Sequence, residues 1–353
     1  MAEAKELQVR KKGATEWNGL PGSTADLSLE SSSAEDSILG ATYESSQPTL
    51  INWSVSGEAY YRGFAGYKAT IKKESTSDPI TDIAMEEESA GVWIASSISD
   101  SPWDINESVT VSTDDGTTKT DVTDQVDRID YLMGRVYFVD TYTVPSGETI
   151  VVDANVVSLQ AISNVTSIEL SQTDSPVDVT SFSAAQANGG YNVFEHGLRN
   201  SDISADGFYN STEDFWSLLT SQDRFIVEVT LDPNGDSTFR GYYRMSSDSL
   251  SGSVGEPEEE SVEFMLSVPQ NAEPVSWRFE PTTTMPKAMQ DILETFINRD
   301  YLEIRYLPEG EGNRGFEGET LVEDASISID VDGIVTSSAD FQGTDGLTEI
   351  NAS

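Results

Sequence analysis

The sequence predicts a mainly β protein with two copies of one β-sandwich module, each carrying one short packed α-helix, behind an extended N-terminal arm. Three observations favour this fold class. Residues 214–264 recur as 291–341, at a constant offset of 77 (341 − 264 = 77) and without a gap. Apolar and polar residues alternate along much of the chain, which is typical of half-buried strands. The 353 residues, 37% of them hydrophobic and 9% aromatic, are sufficient for two or three folded domains.

The repeat depends on ten identical residues of several different types. A shared offset across so many residue types indicates that one structural unit was duplicated, and a duplicated unit suggests symmetric assembly. The identical pairs are Asp214 and Asp291, Asp223 and Asp300, Gly235 and Gly312, Phe239 and Phe316, Gly241 and Gly318, Ser249 and Ser326, Ser251 and Ser328, Val254 and Val331, Ser261 and Ser338, and Phe264 and Phe341.

The charge of the chain is strongly acidic. Sixty-two Asp and Glu residues face 20 Lys and Arg residues, which gives a net charge of −42. Repulsion of this size destabilises a compact state in dilute buffer, whereas at about 1 M salt the Debye length falls to about 3 Å. We therefore expect a halophilic origin; the alternative is a specialised polyanionic surface in an ordinary cytoplasm. Sustained binding to nucleic acid is not expected, because the phosphate backbone needs a basic surface.

Several kinds of site and location are not expected from the composition. The chain has no Cys, so disulfides and thiolate metal sites are excluded. No apolar run approaches the roughly 20 residues that span a membrane. The first twelve residues lack the apolar middle of a signal peptide, so we expect no membrane partner and no secretion by that route.

Residues 1–40 are predicted to form the arm, because they show no apolar period. Lys5 and residues 10–12 form a basic cluster, and a Ser-rich acidic stretch follows over residues 23–37. Two interpretations are open. The arm is either a floppy terminus or a segment that orders on a neighbouring subunit, with its basic end on an acidic surface.

Residues 41–160 alternate in the manner of strands. Residues 109–111 lead into Asp114–Gly116, a hairpin turn signal. Further strands are predicted at Arg135–Val139 and Ile150–Val152.

The segment 161–272 contains the first repeat copy. A loop rich in Ala, Asn and Gly is predicted over residues 181–191. A helix is predicted over Thr212–Ser221, because a Ser or Thr cap precedes apolar residues at helical spacing. Strands Phe225–Leu231 and Phe239–Met245 follow.

The second copy repeats this plan from residue 275 onward. Pro286 suits the first turn of a helix, and strands are predicted at Tyr301–Leu307 and Gly315–Leu321. No leading strands precede this copy directly, so it must borrow them from elsewhere in the chain. The predicted domains are the arm 1–40, a discontinuous module of 41–160 with 275–350, and an inserted module of 161–272.

Candidate catalytic, cofactor and metal residues were weighed, and none is predicted. The single histidine, His196, is expected to be a loop residue without a catalytic role, since no Cys nucleophile and no GxSxG signature accompany it. Asp232–Asp236 resembles the start of a calcium loop, but Ser237 and Tyr243 replace the Gly and Glu of that motif, so a hairpin turn is predicted. No cofactor and no enzyme activity are expected.

Structural roles are predicted for four repeat residues. Gly241 and Gly318 lie inside strands at the same repeat position, which indicates a close backbone approach or a bulge. Phe264 and Phe341 are expected in the core. The acidic segment 255–260 is either a solvated loop tip or a surface that faces an assembly partner.

A series of short motifs adds a family resemblance. In chain order they are Gly66–Ala69, Asp130–Phe138, Asp178–Thr180, Gly197–Leu198, Ile203–Gly207, Phe239–Gly241 and Val262–Phe264. Their order, with a helix in the right place, resembles the tail-tube proteins of long-tailed, siphovirus-like viruses over residues 60–345. The second copy departs from that family, in which one module per chain is common.

The resemblance implies a structural virion protein. Such proteins form rings that stack into a hollow tail tube, so two modules per chain would give a pseudo-sixfold ring from a homotrimer. The implied partners are other copies of the chain, the tape-measure, tail-terminator and tail-tip proteins, and viral DNA as a passing cargo in an acidic lumen. Assembly in the host cytoplasm and location in the virion tail follow from the same resemblance.

Two alternatives to a tube subunit are open. One is a tail terminator or baseplate ring component, which would differ from a tube protein in copy number. The other is a cell-surface protein with tandem β-domains that bind a ligand, against which the missing export signal counts.

Overall fold

The computed structural model describes residues 6–35, 46–62, 70–162, 165–187, 190–208, 215–231, 237–252, 258–283, 285–310, 314–329 and 334–351. The structure is 63% strand and 10% helical, which confirms the mainly β fold class.

The strands are β1 (Glu6–Lys11), β2 (Asn18–Gly19), β3 (Gly22–Glu35), β4 (Ser46–Arg62), β5 (Thr70–Ser89), β6 (Val92–Ala95), β7 (Thr110–Asp114), β8 (Lys119–Asp121), β9 (Val126–Asp130), β10 (Arg135–Phe138), β11 (Thr149–Ile162), β12 (Val165–Asp178), β13 (Phe194–Phe208), β14 (Phe225–Thr230), β15 (Ser237–Ser251), β16 (Glu259–Leu266), β17 (Val275–Phe279), β18 (Leu302–Leu307), β19 (Arg314–Ile329), β20 (Ile334–Gly343) and β21 (Thr348–Asn351). The helices are α1 (Phe182–Ala187), α2 (Phe215–Ser221) and α3 (Lys287–Asn298), with single 3₁₀ turns at Ile98–Asp100 and Thr123–Gln125.

The sequence repeat is also a repeat of structure. Helix α2 ends at Ser221 and α3 at Asn298, again 77 residues apart (298 − 221 = 77). The next residue adopts the left-handed conformation in both copies, at Gln222 (φ 57°) and Arg299 (φ 58°), which is a common way to end a helix. The first two strands after each helix also begin at this offset, β14 with β18 and β15 with β19.

The repeat extends to strand register. Phe225 lies opposite Tyr243 in the β14–β15 pair, and the residues at the same offset, Leu302 and Thr320, lie opposite each other in β18–β19. Both copies also carry an irregularity after the same position of the longer strand, Met245 in β15 and Val322 in β19. A β-bulge increases the local twist of a strand, so both copies bend at the same place.

The chain folds into two compact units, each built from segments that are separated in sequence. Unit 1 comprises Met1–Tyr67, Ser167–Ile203 and Thr284–Ser353, and unit 2 comprises Lys68–Thr166 and Ser204–Thr283.

Unit 1 is an antiparallel ladder in the order β3–β4–β20–β19–β18–β1–β2. Helix α3 packs on β1 and β19 through its apolar stripe, in which Met289, Ile292, Leu293 and Phe296 are buried. Trp53 of β4 is also buried, and its Nε1 donates a hydrogen bond to the carbonyl oxygen of Asp345 at 2.7 Å.

Unit 2 contains the corresponding ladder β16–β15–β14–β5–β11. Between the outer parts of β5 and β11 the chain forms a further small β-structure, in which β6 joins β5 to β10 and β7 joins β11 to β8. Its core includes the fully buried side chains of Trp103, Val111, Val136, Ile150 and Val152. The hairpin predicted at Asp114–Gly116 is the β7–β8 turn.

The predicted domain boundaries do not coincide with the two units. The predicted inserted module 161–272 is divided between them after Ile203, and the segment 41–160 after Tyr67. The strand pairings explain this division, since β5 and β11 pair with each other and β5 also pairs with β14 of the first repeat copy. The predicted domain organisation itself stays a prediction, because compactness does not establish which segments fold independently.

The arm prediction is wrong for Glu6–Lys11, which belong to the fold of unit 1. Strand β1 pairs with β18, and Leu7 and Val9 are buried in unit 1. The basic cluster does meet acidic residues, but they belong to the same chain: Arg10 pairs with Glu303, and Lys12 Nζ lies 2.5 Å from Glu319. Lys5 lies outside the described residues.

Two further local predictions need correction or completion. The Ala-rich segment expected to be a loop contains helix α1, where the Ser181 hydroxyl accepts a hydrogen bond from the Ala184 amide at 3.1 Å. The helix predicted over Thr212–Ser221 is described from Phe215 onward as α2, and Pro286 directly precedes α3.

Candidate assembly edges and charged centres

Each repeat copy ends in a strand that pairs with a long hairpin. Strand β20 pairs with β4 of the β3–β4 hairpin, and β16 pairs with β13 of the β12–β13 hairpin. Residues 54–60 (SVSGEAY) and 202–208 (DISADGF) correspond at an offset of 148 (202 − 54 = 148). The β3–β4 hairpin and the β12–β13 hairpin therefore occupy equivalent positions, each paired with the last strand of one repeat copy.

Side-chain contacts support this equivalence. Ser338 lies opposite Glu58 in the β20–β4 pair. Ser261, which holds the same repeat position (338 − 77 = 261), donates a hydrogen bond to the carboxylate of Asp206 at 2.6 Å. Glu58 and Asp206 correspond at the hairpin offset (206 − 58 = 148). The same acidic position therefore faces the same serine position in both copies.

One of the two hairpins makes an additional strand pair. Strand β19 presents one edge to β18 over Phe316–Thr320 and, further along the same edge, to β12 over Asp324–Ile329. In this second ladder Leu170 of β12 lies opposite Ile327 of β19. Both side chains are only 1% exposed, so the pairing forms part of the core of unit 1.

The repeat contains a cross-strand ion pair of reversed polarity. Glu228 lies opposite Arg240 in β14–β15, and at the offset of 77 Arg305 lies opposite Glu317 in β18–β19. The first pair is buried, with side chains 4% and 3% exposed, whereas Arg305 and Glu317 are 25% and 27% exposed. Both copies thus pair an acidic with a basic residue, but the acidic residue lies on the first strand of one copy and on the second strand of the other.

The buried pair in unit 2 is fully hydrogen-bonded. Arg240 Nε donates to Glu228 at 2.7 Å, and Nη1 donates to Ser101 Oγ at 2.7 Å and to the Leu132 carbonyl at 2.8 Å. Burial opposes ionisation of Glu228, but Arg240 and Lys72 outweigh this effect and lower the pKa of its carboxyl. A buried ion pair with satisfied hydrogen bonds fixes geometry, here between β15 and the segment that precedes β10.

A second buried arginine ties the same segment to β17. Arg135 forms an ion pair with Asp130 at 3.2 Å and donates to Ser276 Oγ at 3.1 Å. The Ser276 hydroxyl in turn donates to Asp130 at 2.6 Å. Arg278 of β17 donates to the Ala95 carbonyl at 2.7 Å. Asp130, Arg135 and Arg278 thus each have a hydrogen-bond partner in a neighbouring segment, and these bonds fix how the segments pack within unit 2.

An acidic group of unit 1 has perturbed ionisation. Asp324 lies opposite Asp340 in β19–β20, with Glu323 beside it. Burial, reinforced by the charges of Asp340 and Glu323, raises the pKa of Asp324 to about 6. Burial raises the pKa of Asp340 and of Glu323 as well. At neutral pH the fold therefore keeps these carboxylates ionised, although burial favours their protonated form.

His196 lies in strand β13, so the prediction of a loop position is wrong. Its Nδ1 is 2.8 Å from Asp174 Oδ2, and its Nε2 is 3.1 Å from the carbonyl oxygen of Asp300. The ring also packs on Tyr301, with centroids 5.5 Å apart. Both ring nitrogens thus have structural partners in unit 1.

The four repeat residues assigned structural roles lie where the sequence placed them. A Cβ at Gly241 would lie 2.5 Å from Tyr243 Cε2, and one at Gly318 would lie 2.6 Å from Trp53 Cη2. Each glycine therefore makes room for an aromatic ring, which is the close approach that was predicted. Phe264 and Phe341 are buried core residues, as expected.

Two segments singled out by their sequence, Asp232–Asp236 and the first half of the acidic segment (255–257), lie outside the described residues. In the second half, Glu259 and Glu260 belong to strand β16, and Glu260 is buried. Where the structure describes the chain, it shows no group of three His, Cys, Asp or Glu side chains arranged to hold a metal ion. The described helices are all too short or too polar to cross a membrane.

The described part of unit 2 contains a polar cavity of about 210 Å³, lined in part by Glu74, Asp104, Arg224 and Tyr242. Burial raises the pKa of Glu74 and of the Tyr242 phenol. The Tyr242 hydroxyl is buried without a hydrogen-bond partner among the described residues. A polar cavity of this kind has room for ordered water.

Sequence reasoning missed the reversed ion pair and the β12–β19 ladder. The ion pair had a readable signal, because an acidic and a basic residue exchange places at the offset of 77. The ladder had none, since alternation in a strand does not identify its partner.

Comparison with known proteins adds little. No family model matches the chain, and no curated protein matches it. A chain from the tail of an empty gene transfer agent particle, computed with helical refinement and C6 symmetry, aligns at 18% identity and a TM-score of 0.28 over 34% of this chain and 85% of that chain. A chain from the virion of a native gene transfer agent particle aligns at 18% identity and a TM-score of 0.28 over 34% of this chain and 88% of that chain. At these values neither similarity supports a structural or functional conclusion.

Proposed function

We propose that this chain is the major tail-tube subunit of a long-tailed, siphovirus-like virus that infects a halophilic host. Three chains, each with two repeat copies, form a pseudo-sixfold ring, and rings stack into a tube. The chain acts as a structural virion protein without enzymatic activity. It assembles in the host cytoplasm and meets tape-measure, tail-terminator and tail-tip proteins.

The observation that carries this proposal is the β12–β19 ladder. The β12–β13 hairpin pairs with the first copy through β16 and hydrogen-bonds to β19 of the second copy through β12. A strand edge that accepts a hairpin strand within one chain has the chemistry to accept a strand of another chain in the same way. A head-to-tail contact of this kind closes into a ring when its rotation permits.

The charge of −42 supports the second half of the proposal. An acidic wall repels the phosphates of DNA, so DNA passes along it without being trapped. Screening by salt is needed before so many acidic residues can be brought together in one particle.

Electron microscopy of the purified protein tests the proposal. In about 1 M salt, where the Debye length is about 3 Å, we expect rings or tubes with an open bore and three chains per ring. Dilution to about 10 mM salt, where the Debye length is about 30 Å, should dissociate them. Equal dilution at constant salt is the control, because it lowers protein concentration alone. A map with six copies of the chain per ring, or particles without a bore, would overturn the proposal.

A further inference from the structure

The internal β12–β19 ladder has a counterpart that the described part of a single chain leaves open. Strand β3 corresponds to β12, since residues 27–31 (LSLES) align with 168–172 (IELSQ) at an offset of 141 (168 − 27 = 141). Strand β15 corresponds to β19 at the offset of 77. We propose that β3 of one chain pairs antiparallel with β15 of the next chain, with Leu29 opposite Leu250, and that this contact closes the ring. The pairing presupposes the ring proposed above.

The register follows from the internal ladder by arithmetic. Leu170 lies opposite Ile327 in β12–β19. The equivalent of Leu170 is Leu29 (170 − 141 = 29), and the equivalent of Ile327 is Leu250 (327 − 77 = 250).

The burial of the four side chains agrees with this register. Leu170 and Ile327, whose strands are paired, are each 1% exposed, whereas Leu29 and Leu250 are 52% and 58% exposed. Large apolar side chains at half exposure on strand edges favour association, because pairing removes their surface from water.

Both strands keep an edge available in the described part of the chain. There, β3 over residues 27–31 pairs with β4, and β15 beyond Met245 pairs with β16. The proposed contact uses the edge of β15 that pairs with β14 over Thr238–Tyr243 and continues beyond it. In β19 the same edge pairs first with β18 and then with β12. Such edges are templates for another strand.

The proposed register also avoids repulsion. It places Glu30 opposite Ser249 and Ser28 opposite Ser251. In the internal ladder, too, an acidic residue lies opposite a serine, Glu169 opposite Ser328. Acidic residues directly opposite each other would destabilise a sheet, and a shift of the register by one residue would place Glu30 opposite Asp248. The pairing therefore suits a strongly acidic chain.

Disulfide trapping tests the contact. Because the chain has no native Cys, every disulfide must form between the introduced residues. Directly opposite residues of antiparallel strands have Cα atoms about 4.5–5.5 Å apart, within the range that a disulfide spans. Full-length protein with Leu29→Cys and Leu250→Cys, oxidised in about 1 M salt, should give covalent dimers and trimers on a non-reducing denaturing gel.

Two matched variants serve as controls. Leu170→Cys with Ile327→Cys should oxidise within one chain and leave the mass on the gel at one chain. Leu29→Cys with Met265→Cys joins two exposed positions that the register does not bring together, since Met265 is 47% exposed on β16. This variant should give about tenfold less cross-linked product, because a disulfide cannot bridge distant Cα atoms.

The outcomes separate this inference from the proposed function. Rings that form normally while the Leu29/Leu250 pair cross-links no better than the Leu29/Met265 pair would overturn the edge assignment and leave the ring intact. Wild-type protein that stays single-chain in about 1 M salt would overturn both.

A charge variant gives a second readout. Leu29→Glu should lower the yield of rings about tenfold, since pairing would bury an uncompensated charge, while the urea midpoint of the single chain stays at the wild-type value. Leu29→Glu combined with Leu250→Lys should restore the yield. Ring yield that is unchanged by Leu29→Glu would contradict the contact.

Discussion

The ion pair occurs in both repeat copies, buried as Glu228–Arg240 and partly exposed as Arg305–Glu317. The exposed pair can therefore serve as the control for a stability measurement on the buried pair. We expect Glu228→Gln to destabilise unit 2 strongly, because it removes the charge that compensates Arg240. The amide is nearly isosteric with the carboxylate, so packing is unchanged and the loss reports on charge. The matched variant Glu317→Gln removes the carboxylate of the Arg305 pair at the equivalent strand position.

The expected magnitudes follow from burial. Glu228 and Arg240 have side chains 4% and 3% exposed, and removal of one partner of such a pair costs about 3–5 kcal/mol. Lys72 adds a second cation beside Glu228, which places the expected loss toward the upper end of that range. The Arg305–Glu317 pair is about one quarter exposed, so solvent screening limits its loss to about 1 kcal/mol or less.

Urea unfolding followed by circular dichroism, at one salt concentration and neutral pH, measures both free energies of unfolding. A double variant, Glu228→Leu with Arg240→Met, checks the cause. If the uncompensated charge is responsible, removing both charges should recover much of the loss. Equal losses for Glu228→Gln and Glu317→Gln, within about 0.5 kcal/mol, would refute the reasoning.

Three further predictions concern unit 1. Asp324→Asn should stabilise the protein at neutral pH: the shift of the Asp324 pKa from 3.8 to about 6 corresponds to about 3 kcal/mol unscreened, which partial exposure reduces to about 1 kcal/mol. Because the folded-state pKa is raised, the penalty is absent below the ordinary value and complete above the raised one, so the wild type should approach the variant's urea midpoint as pH falls from about 7 to about 4; a gap that is independent of pH would contradict this. Gly318→Ala should cost about 1–3 kcal/mol by displacing the buried Trp53 ring, measured by thermal unfolding, whereas Gly19→Ala meets only the flexible Glu6 side chain at 3.3 Å and should be close to neutral. Removal of residues 1–12 should lower the urea midpoint, since burial of Leu7 and Val9 contributes about 1.5–3 kcal/mol each; an unchanged midpoint would restore the idea of an arm that is not part of the fold.

Local order was predictable where the signal was periodic or repeated. Helix α3 showed an apolar stripe after Pro286, and the aromatic core residues Phe264 and Phe341 occurred at one offset. Strand β1 was missed because its apolar residues, Leu7 and Val9, stand beside a run of basic residues that suggested exposure.

The same reasoning failed for partners that lie far apart in the chain. Acidic residues on β18 and α3 compensate the basic run of β1, and Glu303 is nearly three hundred residues away from Arg10. Helix α1 was missed because its short Ala-rich sequence is flanked by Ser, Asn and Gly, which are typical of loops. Its cap at Ser181 is a local contact, but a single serine does not distinguish a cap from a turn.

The sequence alone determined that one unit occurs twice, that it is mainly β, and that its surface is strongly acidic, because a constant offset, an alternation of period two and a count of charges are properties of the chain itself. Tertiary structure decided which hairpin joins which strand, why β1 belongs to the core, and which of two equivalent ion pairs is buried. The physical reason is that strand pairing and burial are set by neighbours distant in sequence, and an alternating pattern accepts many neighbours until the packed fold selects one.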